Sequence, residues 1–402
     1  MEGDSVQSEK NNQGKSWALR TFWFVNLAHF LHDGFTDMLY VFFPVWQTQW
    51  ALSFAQVGLF KMLISGSTAL FQIPSGLLAE RAGRVRLLLA GTAVTCLAVG
   101  LFGWMNQPWL LGLVLVLSGI GSSVQHPLSS SLISDAYTEV KARRTALSAF
   151  NFVGDIGKLV LPAAAAFLIS GFGWYSASRL LAVCGLTVLC GLVFIASGFK
   201  QTIAAPLPKE MSAKNGVLPG WKEHRAFWSL AGIGVLDSGV RMAFLTFFPF
   251  LLQEKRCDVT AVGFALSLIF AGGATGKLVC GVLATRIGIL RSVILTEGLT
   301  ALCIAGMTAV PLRGAFFLAP LLGLALNGTS SVLYGSVPEL VPDERRSQAF
   351  SVFYTASMGS GAITPSLFGL LGDAAGVRWT ILIVAFIALA TLPLTLPLRG
   401  KL

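Results

Sequence analysis

The sequence predicts an all-α polytopic membrane protein, with twelve transmembrane helices arranged as two pseudo-symmetric six-helix bundles. Three observations predict this class: an apolar composition, a regular succession of apolar segments and an internal repeat. The 402 residues are 54% hydrophobic and only 12% charged, and the mean hydropathy is +0.71. A soluble domain carries about 25% charged residues, so most of this chain is expected to lie in a lipid bilayer.

Twelve apolar segments are each long enough to cross a bilayer, which takes about 20 helical residues. The predicted spans are 21–45, 53–79, 86–105, 109–133, 145–169, 176–198, 227–252, 260–284, 290–310, 314–336, 347–371 and 378–398. The predicted organisation is an unstructured cytoplasmic tail at 1–20, an N-terminal six-helix bundle at 21–198, a cytoplasmic linker at 199–226 and a C-terminal six-helix bundle at 227–402.

The two halves of the chain repeat one another. Phe42-Phe43-Pro44 recurs as Phe247-Phe248-Pro249, and at the same spacing Gly83 recurs as Gly288. A repeat in parallel orientation is typical of transporters whose substrate site lies near the bilayer midplane, where the two repeats meet. The sequence therefore predicts a central site and an alternation between inward- and outward-facing states.

The basic residues orient the chain in the membrane. Most of the 29 lysines and arginines lie in the tails and in the loops that the order of spans places on the same side. Basic loops mark the cytoplasmic side, so we expect both termini in the cytoplasm. This asymmetry explains the net charge of +10 without a nucleic-acid partner.

Enzymatic and metal-binding motifs are absent from the sequence. The six cysteines show neither a disulfide framework nor a metal-ligand spacing. The chain also contains no H-E-x-x-H, no serine elbow and no phosphate-binding loop. We therefore expect no enzymatic activity, no metal and no cofactor.

The stretch from His29 to Tyr40 places ionisable side chains inside the first span. His29, Asp33 and Asp37 are spaced by four residues, so on a helix they share one face. A charge at membrane depth costs at least ~2.5–3.5 kcal/mol and typically marks a transport path. A buried carboxylate can exchange protons near neutral pH, and histidine titrates there already. We predict that Asp33 is the proton-coupling residue. Its neighbours in this predicted site are His29, His32 and Asp37.

The turn between the second and third spans reads Gly76-Leu-Leu-Ala-Glu80-Arg81-Ala-Gly83-Arg84-Val-Arg86. It resembles the signature G-x-x-x-D-R-x-G-R-[RK] of the major facilitator superfamily, with Glu80 in place of the usual aspartate. The resemblance implies the fold of that superfamily and a cytoplasmic charge cluster that latches one conformation. The implied latch residues are Gly76, Glu80, Arg81, Gly83 and Arg84. The alternative is a plain cytoplasmic turn held by its basic residues.

A narrower resemblance covers most of the first half and is to the fosmidomycin-resistance branch of that superfamily. The matching stretches are 28–33, 52–58, 119–127 and 150–157. This branch implies proton-driven efflux, and it makes His29, Asp33 and His126 candidate functional residues. We expect the protein to lie in a bacterial inner membrane.

Nine acidic and basic side chains lie in the interior of the predicted spans, away from the span ends. The acids are Asp33, Asp37, Asp155, Asp237 and Glu297, and the bases are Lys61, Lys158, Arg241 and Lys277. One interpretation is structural neutralisation. Asp155 with Lys158, and Asp237 with Arg241, have the spacing of pairs on one helix, and Asp37 and Lys61 lie at similar depth. Asp33 would then be left without a basic partner. Glu297 has no obvious partner either, and its role stays open.

The same basic residues suit a substrate with an acidic group, since guanidinium and ammonium groups bind carboxylates and phosphates. The predicted substrate-binding residues are Lys158, Arg241, Asp155, Asp237, Lys61, Tyr40 and His126. For Tyr40 the alternative is helix packing. For His126 it is a cap at a helix kink before Pro127.

These patterns together predict a secondary active transporter of a small anionic or zwitterionic organic solute, coupled to protons, with efflux as the preferred direction. The alternatives are uptake of an organic anion by proton symport and a non-transporting receptor or scaffold on the same fold. The expected partners are the small-molecule substrate, protons and the lipid bilayer, without nucleic acid. We expect a monomer.

Overall fold

The computed structural model describes residues 2–199, 225–342 and 346–400, with side chains described from residue 16 onward apart from Ser347. Within these residues the chain is helical and contains no strand. The predicted linker at 199–226 lies almost entirely outside the described residues.

The N-terminal half contains seven helices. They are α1 (Glu2–Asp37), α2 (Leu39–Trp50), α3 (Phe54–Ala82), α4 (Arg84–Phe102), α5 (Pro108–Ser122), α6 (Gln125–Ala136) and α7 (Val140–Ser197). The predicted unstructured tail is wrong, since α1 is helical from Glu2. Extending an existing helix avoids the cost of a new nucleus, because each added residue gains a backbone hydrogen bond.

In the C-terminal half, residues 225–342 and 346–400 form seven further helices. They are α8 (Arg225–Glu254), α9 (Val259–Ile287), α10 (Ile289–Ala309), α11 (Leu312–Ser336), α12 (Arg346–Ala375), α13 (Val377–Leu389) and α14 (Thr391–Leu394). Two short 3-10 turns follow α11 and α14, at Val337–Glu339 and Leu396–Leu398.

Two predicted spans are interrupted next to predicted site residues. The first span breaks at Met38, directly after Asp37, and continues as α2. The fourth span breaks between α5 and α6, just ahead of Pro127. Proline has no backbone N–H and its ring collides with the carbonyl four residues earlier, which explains why the helix cannot run through this point.

The fifth and sixth spans follow one another through α7 without a loop. Gly173 has φ 73° and ψ 159°, a non-helical conformation that separates the two halves of this long element. Only glycine adopts such a positive φ without strain.

Nine helical segments of the described chain are long and apolar enough to cross a membrane, and α7 alone holds two predicted spans. The remaining two predicted spans correspond to α1 with α2 and to α12. The first carries two histidines and two aspartates, and α12 is rich in serine, threonine and glycine, which lowers the hydropathy of both. The predicted twelve spans are thus all helical.

Contacts group the chain into two compact units. The first unit comprises Met1–Asp37, Ser67–Leu161 and Phe172–Pro208, and the second comprises Met38–Gly66, Pro162–Gly171 and Lys209–Leu402. Each unit has its own apolar core, built around Phe24, Leu88 and Phe150 in the first and around Phe227, Leu333 and Phe353 in the second. The domain boundaries given above from the sequence stay a prediction.

Glycines bring helices together in both units. A Cβ at Gly157 of α7 would collide with the carbonyl oxygen of Phe30 on α1, and one at Gly272 of α9 would collide with that of Pro320 on α11. Helices in lipid gain little from the hydrophobic effect and associate through such close packing. In the first unit this packing sets the distance between α1 and α7, which carry most of the site described next.

Candidate functional site

Asp33 lies at the centre of a buried cluster of ionisable groups in the first compact unit. Its Oδ2 is 3.1 Å from Lys158 Nζ and 3.1 Å from His29 Nε2, and its Oδ1 is 3.6 Å from His126 Nε2. The acid comes from α1 and the bases come from α1, α6 and α7. The structure therefore brings together three predicted residues that lie far apart in sequence.

The prediction that Asp33 is left without a partner is wrong. Lys158 Nζ is nearer to Asp33 Oδ2, at 3.1 Å, than to Asp155 Oδ1, at 3.7 Å. The Asp155–Lys158 pair exists, as its spacing on α7 suggested, but Lys158 bridges to α1 as well. Asp37 lies within electrostatic reach of Lys158.

The ring of His29 is held in one orientation. Its Nδ1 is 2.7 Å from the carbonyl oxygen of Phe150, and the Phe150 ring stacks on the imidazole with 3.9 Å between centroids. Gly154 leaves room for the ring, because a Cβ there would lie 2.7 Å from Nε2. A carbonyl only accepts hydrogen bonds, so Nδ1 carries the proton. Nε2 is therefore the nitrogen that faces Asp33.

His32 does not belong to this cluster. Its Nε2 is 3.0 Å from Thr92 Oγ1 and its Nδ1 is 3.3 Å from Ser122 Oγ. Adjacent residues on a helix point about 100° apart, so His32 faces α4 and α5 although Asp33 is its neighbour in sequence. Its contacts tie three helices together, and its role in proton coupling stays a prediction.

The cluster is open on the side of Lys158 and His126. The exposed fraction of the side chain is 11% for Asp33, 29% for Lys158 and 44% for His126. Asp155 is buried, at 8%. A solute can thus reach the two bases while the acids stay largely shielded from water.

His29, Asp33 and His126 offer ligand atoms that lie within 4.8 Å of one another. Two imidazole nitrogens and a carboxylate oxygen are donors that transition metals accept. However, the Lys158 ammonium lies 3.1 Å from the same carboxylate, and it would repel a dication. The arrangement suits a proton and an ammonium better than a metal ion.

Two other predicted substrate residues form a separate contact in the second unit. Lys61 Nζ lies 4.5 Å from the centre of the Tyr40 ring, and the Tyr40 hydroxyl is 3.4 Å from Met242 Sδ. Both side chains are fully buried, with exposed fractions of 1% and 0%, so neither presents a surface to a substrate in this conformation. The Asp37–Lys61 pair stays a prediction.

Asp237 and Arg241 do not form the direct ion pair that their spacing suggested. Instead Ser330 of α11 stands between them, since Arg241 Nη1 donates to its hydroxyl at 2.8 Å and the hydroxyl contacts Asp237. Glu297 of α10, which had no obvious partner, is hydrogen-bonded to Asp237 and to Thr391. Contacts between helices are not encoded in spacing along one helix, which is why sequence reasoning missed them.

The predicted latch turn contains a buried arginine. Gly83 has φ 87° and ψ 134° at the start of α4, and the next residue, Arg84, donates to Ser131 and pairs with Asp135 on α6. Glu80 and Arg81 are exposed. Asp135 was not predicted, although an acid near the end of the fourth span is a signal that could have identified it.

A second unpredicted acid is Asp373, near the end of α12. It accepts hydrogen bonds from the backbone N–H groups of Phe54 and Ala55, at 2.6 and 3.0 Å. These groups begin α3 and have no partner within their own helix. Asp373 therefore fastens the start of α3 to α12 within the second unit.

Comparison with known proteins finds relatives that are similar to this chain over most of its length. The uncharacterized MFS-type transporter YfnC of Bacillus subtilis (strain 168) is 25% identical over 94% of this chain and 93% of its own length. The fosmidomycin resistance protein of Escherichia coli (strain K12) is 23% identical over 91% and 89%. The gallate transporter of Pseudomonas putida is 24% identical over 84% and 82%.

Among solved structures, the chain is similar to a bacterial homologue of the human lysosomal transporter Spinster in an inward-facing and occupied conformation. The TM-score is 0.77 at 18% identity, over 93% of this chain and 95% of the other, a likeness that shows the fold. The profile described as Major Facilitator Superfamily matches residues 25–319 and 230–401. The protein therefore belongs to the major facilitator superfamily and is an integral membrane protein.

Proposed function

We propose that this protein is a proton-coupled secondary transporter that exports a small organic solute with both an anionic and a cationic group. Membership of the superfamily supports transport. The similarity to a fosmidomycin resistance protein supports export. The observation that carries the proposal is that Lys158 and His29 contact the same oxygen of Asp33, each at 3.1 Å.

Because one oxygen of Asp33 contacts both His29 and Lys158, proton binding at Asp33 is linked to the ion pair with Lys158, and a charged substrate competes for that ion pair. While Asp33 is ionised, it holds the Lys158 ammonium in a buried ion pair. Opening the pair exposes one negative and one positive group on the accessible side of the cluster. A zwitterion matches both, because its cationic group can replace the bases at Asp33 while its acidic group binds Lys158.

Proton exchange follows from the charge on Asp33. A cationic group at Asp33 repels a proton from Asp33 and from Nε2 of His29. Substrate binding then releases a proton, and proton binding expels the substrate, which is the linkage that an antiporter requires. His29 supplies the route, since its Nδ1 is occupied by the Phe150 carbonyl and only Nε2 faces the acid.

A second candidate is uptake of an organic anion by proton symport. The observation in its favour is that Asp33 competes with any anion for Lys158. An anion that takes Lys158 leaves the buried carboxylate without its nearest cation, so Asp33 gains a proton as the anion binds. The two candidates thus predict opposite proton movements.

As part of the proposal, we place the protein in a bacterial inner membrane with both termini in the cytoplasm.

The test is proton movement on substrate binding, measured with a pH-sensitive dye on purified protein and in proteoliposomes. Zwitterionic amino-acid derivatives and small aromatic carboxylates are screened against wild type and Asp33→Asn. Proton release with a zwitterion, lost in Asp33→Asn, supports export by antiport. Proton uptake with a carboxylate, also lost in Asp33→Asn, supports symport. A compound that moves protons equally through both proteins would overturn the role of Asp33.

A further inference from the structure

Two carboxyl groups meet inside the second compact unit. The carboxyl groups of Asp237 on α8 and Glu297 on α10 lie within hydrogen-bonding distance of each other. Their exposed fractions are 5% and 1%, so water does not solvate either group appreciably. Sequence analysis treated Asp237 as a substrate residue and left the role of Glu297 open.

A hydrogen bond between two carboxyl groups requires a proton. An ionised carboxylate has only acceptor oxygens, whereas a protonated one gains a donor. Glu297 Oε1 is buried and accepts from no donor in the part of the chain that the structure describes. This oxygen and the neighbouring acid can both be satisfied only if one of the two groups carries a hydrogen.

The charges around the pair also indicate that the two acids hold one proton. Among the residues that the structure describes, Arg241 is the base that acts on both acids, and the hydroxyls of Ser330 and Thr391 also contact the pair. Two carboxylates beside one guanidinium would leave a net negative charge in a membrane interior, where an uncompensated charge is costly. One proton makes the group neutral.

We propose that Asp237 and Glu297 form a second proton-binding site, in which one proton is shared between the two carboxyl groups and Arg241 balances the remaining negative charge. Like-charged acids in contact cannot both ionise, as in other proteins with paired carboxyl groups. The ligand of this site is a proton. The site lies in the C-terminal half of the chain and is distinct from the Asp33 cluster, and it does not depend on the coupling role proposed for Asp33.

Ser330 connects Asp237 to Arg241. Its hydroxyl accepts from Arg241 at 2.8 Å and contacts Asp237, so it can donate to whichever oxygen of Asp237 is negative. Glu297 is then the group that carries the proton and donates to Asp237, because Asp237 already has the arginine side of the network to stabilise its charge.

The test is infrared spectroscopy of the full-length protein in lipid nanodiscs at neutral pH. All spectra are recorded in an Asp33→Asn background, so that the first cluster cannot contribute through Asp33. We expect a carbonyl stretching band of a protonated carboxylic acid, which disappears in both Glu297→Gln and Asp237→Asn. Absence of the band from the background protein, or its persistence in both variants, would overturn the proposal.

Thermal unfolding gives a second measurement that does not require spectroscopy. Glutamine has nearly the shape of a protonated glutamate, so Glu297→Gln is expected to fold. The native pair keeps a proton that unfolded carboxyl groups release at neutral pH, so stability falls as pH rises. Between the pH at which unfolded carboxyl groups ionise and the pH at which the native pair loses its proton, we expect Tm to fall about 2 °C more per pH unit in wild type than in Glu297→Gln. Equal slopes would contradict the shared proton.

Discussion

The Asp33 cluster and the Asp237–Glu297 cluster have the same balance of acids and bases, but they differ in exposure and in which group can carry a further proton. The Asp33 cluster contains two acids, Asp33 and Asp155, with one lysine. The second cluster contains two acids, Asp237 and Glu297, with one arginine. Each needs one further proton to be neutral. In the first cluster a histidine is in place to carry it, and in the second the acids share it between themselves.

This difference determines which cluster can exchange charge with a solute. In the first, two of the bases lie on the accessible side and a histidine contacts the acid. In the second, both acids are almost completely buried, and the proton is enclosed in a hydrogen bond. We infer that the two halves of the repeated fold hold one exchangeable site and one closed site.

Removing the cation from each cluster should have the largest effect, and an unequal one. Arg241→Met leaves two acids in a closed site, and we expect a loss of about 3 kcal/mol or more, as for other broken buried pairs. Lys158→Met is expected to cost less, about 1 kcal/mol, because the partly exposed site admits water and His29 can be protonated. Thermal unfolding in the same detergent compares them. Equal losses would remove the distinction between a closed and an open site.

Displacing the His29 ring from Asp33 should weaken proton-coupled transport without removing any charge from the first cluster. In Gly154→Ala the new methyl group collides with the His29 ring, and overpacking of this kind costs roughly 1–3 kcal/mol. We expect proton-coupled transport to fall about tenfold, which corresponds to ~1.4 kcal/mol. The matched control on the same helix is Gly191→Ala, where a Cβ meets nothing within 4 Å. If both variants transport alike, the position of His29 is unimportant.

The repeated turns allow the same comparison on the cytoplasmic side. Gly83 and Gly288 both have φ 87°, so alanine at either position should cost about 1–2 kcal/mol. Only Gly83 precedes a buried arginine that pairs with another helix, whereas Ile289 follows Gly288. We therefore expect Gly83→Ala to lower the transport rate, and Gly288→Ala to lower only Tm. Transport in proteoliposomes, normalised to the amount of folded protein, checks this difference.

The sequence predicted the spans well because hydropathy is a local property averaged over about 20 residues. It located Asp33, Lys158 and His126, because ionisable groups stand out in apolar segments. It did not predict which charges meet. The partners of Asp33 and Glu297 lie on other helices, and spacing along one helix determines neither the rotation nor the relative depth of two helices. The breaks at Met38 and ahead of Pro127 have a different origin, since they depend on local backbone geometry.

Two helix starts in the second unit offer the smallest and most specific comparison. Asp258 caps its own helix, α9, by accepting from Ala261 N–H at 2.7 Å, whereas Asp373 caps α3 from α12. Asparagine is nearly as good a local cap as aspartate, so Asp258→Asn should change Tm little. Asp373→Asn loses the charge that accepts from two N–H groups, and we expect a loss of about 0.5–1 kcal/mol.

The two caps should also differ in their effect on the rate of the transport cycle. A cap within one helix persists through any movement between helices, whereas the Asp373 contact must break whenever α3 and α12 separate. Asp373→Asn should therefore change the transport rate in proteoliposomes by about two- to fivefold, the equivalent of its stability loss, while Asp258→Asn leaves the rate unchanged. A rate unaffected by Asp373→Asn would mean that α3 and α12 stay together throughout transport. The two helices would then belong to one moving body, although they come from different halves of the repeat.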